Sequence, residues 1–222
     1  MKRFRSLPSA FLLFSSALVL AAPIQAAPQT FEIDPVHSRV EFTIRHMFSK
    51  VTGNFGKFQG VINYDAAAPA SSSVKADIDA SSIDTNNDRR DGHLKSPDFF
   101  DVAKYPTITF TSTKVSSGAD GKLKVEGTLS IHGVTKAVVL DAAFLGSGPG
   151  LDGVTRAGFE ATTKVDRKDY GIVWNKALDQ GGTLLGDDVQ ISLEIEAAVP
   201  QPPDAAGKEQ KTEKKETTKS AK

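Results

Sequence analysis

Cysteine is absent from the 222 residues, which removes disulfide scaffolding, thiol redox chemistry, cysteine nucleophiles and thiolate metal sites. Histidine is scarce. The four imidazoles are His37, His46, His93 and His132, and no two stand at a helical ligand spacing, so no metal is expected. The glycines are scattered through turns and strand-like stretches and form no phosphate-cradling loop, which leaves nucleotide chemistry without a foothold. Asp84, Asn86 and Asp88 imitate the start of a calcium loop, but Arg89 stands where that loop needs glycine and Lys95 where it needs glutamate,. Ser147, between Gly146 and Gly148, has no helix signal after it and so lacks the setting of an exposed serine nucleophile. No catalytic residue is assigned.

An excess of positive charge is also missing. The chain carries 27 bases and 27 acids, so nucleic-acid binding has no electrostatic support. Long apolar runs are wanting too. Ala10 to Ala22 is the one sustained run, short of the roughly 20 residues that a spanning helix needs. It follows Lys2, Arg3 and Arg5 and precedes Ile24-Gln25-Ala26, the pattern of a signal peptide over 1–26 cut after Ala26. The expected location is therefore the periplasm, with no membrane span. Removal of that segment leaves 24 bases against 27 acids, a net charge of −3. From Pro200 the composition turns to Pro, Ala, Lys, Glu and Thr, too polar to bury a core, so 200–222 is expected to be a disordered tail. One domain, 27–199, remains.

Within that domain apolar residues recur at every second position, the period of a strand with one wet and one dry face. Val40, Phe42 and Ile44 alternate with Glu41, Thr43 and Arg45. The same pattern runs through Phe58–Tyr64, Val74–Ala80, Ile108–Phe110, Leu123–Ile131, Val138–Phe144, Ala157–Ala161 and Val189–Ile195. His132-Gly133 marks a tight hairpin turn between the fifth and sixth. Eight amphipathic strands are most simply covered by closing the sheet on itself, although a two-sheet sandwich satisfies the same alternation. The pattern lapses between Ser81 and Pro106, where a charged cluster and then Phe99, Phe100, Val102 and Tyr105 predict a helical insertion starting at Ser96-Pro97-Asp98. A second irregular stretch, Asp166 to Gly186, holds the sole tryptophan, Trp174, and is long enough to lie over one mouth.

The interior is rich in phenylalanine, and small residues at Gly60, Ala76, Gly127 and Ala161 are expected to leave room beside it. An eight-stranded barrel either fills with side chains or keeps one slim ligand. His46 shares the parity of Phe42 and Ile44 and should point inward; His93 sits on the charged insertion. His37 and His132 are read as turn or surface polarity.

Four blocks in order, EIDPVHSRVEFTIRHM, RRDGHLKSPDFFDVAKYPTITF, LSIHGVTKAVVLD and DRKDYGIVWN, resemble the YceI family of exported polyisoprenoid-binding proteins, over about Thr30 to Val199. The resemblance implies an all-β, eight-stranded antiparallel lipocalin-like β-barrel with a short helical insertion, holding a polyprenyl or other long-chain lipid in its lumen. With strand parity, it makes Phe42, Ile44, Phe58, Ile62, Phe110, Leu129, Phe144 and Phe159 candidates for the lipid tail, with Phe99, Phe100 and Trp174 closing one end. His46, Arg90 and His93 are candidates for the head group, although Arg90 paired with Asp88 or Asp91 is an equal alternative. Apart from such a lipid no cofactor is expected, and a homodimer is left open. Two other readings stand beside the carrier: a small hydrolase or isomerase using His46 or His93, and a packed barrel acting through protein partners.

Overall fold

The computed structural model describes residues 28–118 and 121–201. The signal expected over 1–26 lies outside the described residues, as does the tail beyond Gln201.

Among the described residues eleven strands form a single antiparallel sheet: β1 (Gln29–Ile33), β2 (Arg39–His46), β3 (Ser49–Phe55), β4 (Phe58–Tyr64), β5 (Ser73–Asp79), β6 (Ile83–Asp84), β7 (Thr107–Ser117), β8 (Leu123–Ile131), β9 (Val134–Pro149), β10 (Thr155–Asp166) and β11 (Leu185–Ala198). Their register reduces them to eight staves. β11 pairs with β2 between Leu185 and Glu194 and with β1 at Ala197 and Ala198, so β1 and β2 are one stave interrupted at residues 34–38. β3 and β4 continue one another opposite β2 and β1, and β6 and β5 do so opposite β3 and β4. The β1–β11 pairing closes the ring. Closure pairs every strand on both sides except the short β6, which is bonded to β3 alone,.

The interruptions are stitched together. The Gly56 and Lys57 amides donate to the Ser82 carbonyl (3.1 Å) and hydroxyl (3.0 Å), and the Asp79 amide to the Lys57 carbonyl at 2.9 Å. On the first stave the Asp34 amide and the Ser38 hydroxyl both donate to the Glu196 carbonyl. Backbone groups lost from the ladder at each break thus find partners elsewhere, as buried peptide groups must.

All eight stretches of alternation are strands. The short β1 and the glycine-bearing β3 carry too few apolar residues to announce themselves. The hairpin at His132-Gly133 has positive φ at both residues, 52° and 75°, the geometry whose twist matches the flanking strands. The insertion is helical but earlier than its sequence signal. α1 spans Asp88–Lys95, capped by the Asn87 side chain, which accepts from the Arg90 amide; Ser96 ends the helix, its hydroxyl donating to the His93 carbonyl. The Ser-Pro-Asp triplet has the residues of a helix start, where serine and proline serve as cap and first position. Here Pro97 instead follows the last turn, where a residue unable to continue a helix is equally at home.

The barrel interior has two parts. At one end Phe31, Ile62, Ala157 and Ala197 pack with Tyr64, Phe144 and Phe159 into an aromatic floor. Around the other half Val40, Phe55, Ile108, Phe110, Val115, Val125, Leu129 and Leu140 form a buried shell. The loops of β2–β3, β8–β9 and β10–β11, together with α1, all fall at the end opposite the floor, as the up-and-down order of an antiparallel barrel requires.

Candidate functional site: an apolar lumen

The shell is hollow. A cavity of about 890 Å³ occupies it, toward the upper end of the range for small-molecule sites. Its wall is overwhelmingly aliphatic and aromatic, contributed by every stave, with Ile62 and Phe159 at the floor and Asn87, Arg89, Arg90 and His93 of the α1 segment at the rim beside His46.

Of the residues singled out for a lipid tail, Phe42, Ile44, Phe58, Ile62, Phe99, Phe100, Phe110, Leu129, Phe159 and Trp174 line this cavity, as do His46, Arg90 and His93. Phe144 does not. It points inward but lies within the floor, 4.6 Å from the Tyr64 ring and 5.5 Å from that of Phe159, centroid to centroid. Strand parity gives the side of the wall and not the depth, so it cannot tell lumen from floor.

The small inward residues divide in the same way. Ala76 and Ala161 face the cavity. At Gly60 and Gly127 the room is already taken: a Cβ at Gly127 would fall 2.6 Å from both Phe110 Cζ and the Thr111 carbonyl oxygen, and one at Gly60 2.7 Å from Ile33 Cδ1 and the Lys75 carbonyl oxygen. These glycines admit a neighbour to the wall rather than open space in it.

One rim is aromatic. The ring centroids of His93 and Trp174 lie 4.9 Å apart, those of His93 and Phe99 5.0 Å and those of Phe99 and Trp174 5.2 Å. His93 Nε2 is 2.8 Å from Asp98 Oδ2, which fixes the imidazole at the mouth. Arg90 does not pair with Asp88 or Asp91. Its Nε donates to the Thr85 hydroxyl and its Nη2 to the Thr85 carbonyl, while Thr85 in turn donates to the buried Asp91 carboxylate. The charged cluster that reads as a solvated face is therefore partly a positioning network for the guanidinium.

Arg167, which sequence reasoning did not single out, organises the second loop. It is 4% exposed. Its Nη1 donates to the Ile172 and Trp174 carbonyls, its Nε to the Gly186 carbonyl and its Nη2 to Asp187. The planar fork suits such divergent carbonyls, and the result is to hold Trp174 over the cavity. The signal lay in RKDYGIVWN, where a lone arginine precedes a stretch with no ladder of its own to satisfy its carbonyls. Tyr170, also in the wall, is 2% exposed with its hydroxyl unpartnered. Burial, with the Asp169 carboxylate adding to it, pushes that phenol up to about 12.

Outside the lumen, Asp34, His37 and Glu196 bring three ligand-type atoms together. The grouping is already engaged: His37 Nδ1 is 2.8 Å from Asp34 Oδ2, and Arg156 Nε lies 3.3 Å from Glu196 Oε1. No described helix is long and apolar enough to cross a membrane.

A YceI-like domain model matches residues 31–197. Protein YceI of Escherichia coli is 41% identical over 184 residues, covering 82% of this chain and 94% of its own. The crystal structure of the Campylobacter jejuni YCEI protein superposes with a TM-score of 0.61 at 34% identity, over 71% of this chain and 90% of that one. A polyisoprenoid binding domain from Saccharophagus degradans shares the fold, with a TM-score of 0.57 at 18% identity over 78% and 99% of the two chains. With strand order, closed ring and sequence in agreement, the chain belongs to the YceI-like family.

Proposed function

We propose that this protein binds one long-chain amphiphilic lipid, of the isoprenoid class, in its lumen, and carries, stores or protects it in the periplasm after export. The observation that carries the reading is the 890 Å³ apolar cavity, whose end opposite the floor is furnished with Arg89, Arg90, two imidazoles and a tryptophan. Each buried methylene contributes about 0.8 kcal/mol, so a tail of about 20 carbons gains on the order of 15 kcal/mol before ordering costs. A charge-assisted hydrogen bond to the head group adds about 1.5–3 kcal/mol. The tail thus sets affinity, and Arg90, His46 and His93 set which head group is accepted. The solved fold relative described as a polyisoprenoid binding domain lends support by architecture.

Binding rather than turnover is the reading these groups favour. At the mouth of the lumen the His93–Asp98 pair, at 2.8 Å, resembles a base with its orienting acid. The nearby Ser96 hydroxyl is committed to the His93 carbonyl at 2.7 Å, so no nucleophile is supplied beside it.

Native mass spectrometry of the exported protein, with lipid extraction of the same sample, tests the proposal. One adduct of isoprenoid or fatty-chain mass per chain is expected. Several preparations that yield no lipid would refute it.

A further inference from the structure

The hairpin between β2 and β3 ends in Met47-Phe48, two adjacent apolar residues that reach into solvent. Phe48 is 92% exposed and Met47 37%. A lone exposed apolar residue needs no explanation, but this pair occupies a particular place. His46, the residue before it, lines the cavity, and the Met47 amide donates to the carbonyl of Leu184, which lines it too. The tip is therefore the lip of the lumen. On the loop that pairs with the same segment, where the Leu184 amide donates to the Lys176 carbonyl, Val173 is 64% exposed.

Directly behind the tip, Arg45 and Lys50 are cross-strand partners, both exposed. Like charges placed opposite one another destabilise a hairpin, and no carboxylate of the described residues lies within salt-bridge distance of either. Two unneutralised cations behind an aromatic and a thioether match the profile of an anionic bilayer: apolar side chains enter the interface while bases meet the phosphates. We infer that the Met47-Phe48 hairpin is a membrane-docking finger, which seats the mouth of the barrel on an anionic lipid surface so that a lipid passes between bilayer and lumen without crossing water. The inference rests on the lumen being a lipid site.

Co-sedimentation with vesicles of phosphatidylglycerol and phosphatidylcholine in equal parts tests it, using the whole chain recovered from an exporting host. Residues 202–222 are present in every variant, so differences between variants read the hairpin alone. Wild type is expected to partition onto these vesicles and to be released by salt. Arg45→Gln with Lys50→Gln should weaken partition roughly 25-fold, at about fivefold per base near an anionic surface, and Phe48→Ser about tenfold. Uptake of a fluorescent long-chain fatty acid delivered on cyclodextrin should be unchanged in all of them, because none of the three side chains lines the lumen. Wild type that stays in the supernatant, or variants that partition as wild type does, would overturn the docking finger while leaving the lumen intact. Phe48-dependent self-association without vesicles would also overturn it, by assigning the tip to a second copy. Failure of every form to take up the probe would overturn the lumen reading and the loading role together.

Discussion

The ring of Phe42 occupies the space that a side chain at Gly53 would take: a Cβ there would fall 2.6 Å from Phe42 Cζ and 2.6 Å from Thr85 Cγ2. The two residues face each other across the β2–β3 ladder, and the missing side chain lets the phenylalanine lie back against the wall.

Gly53→Ala therefore drives the Phe42 ring toward the lumen. Both crowded atoms belong to side chains, so the fold should survive at a cost of about 1–3 kcal/mol, the usual range for overpacking. Binding of a long-chain fluorescent probe should weaken more than the stability loss explains. Probe titration beside thermal unfolding separates the two effects.

Ala161 faces the cavity with open space before it. Ala161→Trp should fill part of the lumen and displace lipid with little loss of stability, since it adds apolar contact where none exists. Co-purified lipid should fall severalfold by mass spectrometry while the unfolding midpoint stays within a few degrees. Retention of a full lipid complement would show that the ligand lies elsewhere.

Much of this was legible in advance. Alternation in Val40–Ile44 or Leu123–Ile131 reports a dry face directly, because period two is imposed by the pleat. What alternation does not carry is depth along the barrel axis, which is why Phe144, correctly inward, proved to be floor. Nor does it carry what fills the space beside a glycine, since Gly127 is closed by Phe110 from a neighbouring stave. Arg167 is hard to single out for a related reason: its partners are mostly backbone carbonyls, which a stretch without a ladder hints at but does not name.

Arg167→Ala should release the loop. Four hydrogen bonds from one guanidinium are lost, and charge-assisted bonds are worth about 1.5–3 kcal/mol each without being additive, so a loss of at least about 2–3 kcal/mol is expected. Trp174 is the sole tryptophan, and its emission should shift to the red as it leaves the mouth. Lysine at 167 should rescue little, because it cannot present a fork.

Tyr170→Phe runs the other way. A buried hydroxyl without a partner costs about 1–3 kcal/mol, so its removal should leave stability unchanged or raise it. A clear fall in unfolding midpoint would mean that the hydroxyl has a partner in solution.

The Asp34–His37 pair gives a pH signature. The hydrogen bond and charge of Asp34 raise the His37 imidazole above its ordinary value. Partial burial of Asp34 opposes ionisation, but hydrogen bonds from His37 and the Val36 amide outweigh it and hold the carboxyl below the usual carboxylate range. The raised histidine contributes stability that is complete below about 6.5 and is lost as pH rises through its folded value. The lowered aspartate contributes above about 3.9 and loses its share as pH falls through its own. Thermal midpoints should therefore be highest between these limits, and His37→Ala should remove the decline on the alkaline side. An unchanged alkaline limb would assign that decline to other groups.

Three adjacent staves break partway along the lumen, at residues 34–38, 56–57 and 80–82, and the breaks form a seam across three of the eight. The cavity runs past this line: Ile33, Phe58, Val74 and Ile78 on the floor side of the breaks line it, as do Val40, Val51 and Phe55 on the other. A wall jointed partway along its lumen places the interruptions of the ladder beside the contents, so a change in their thickness is expected to be met at the joints before the aromatic base unpacks.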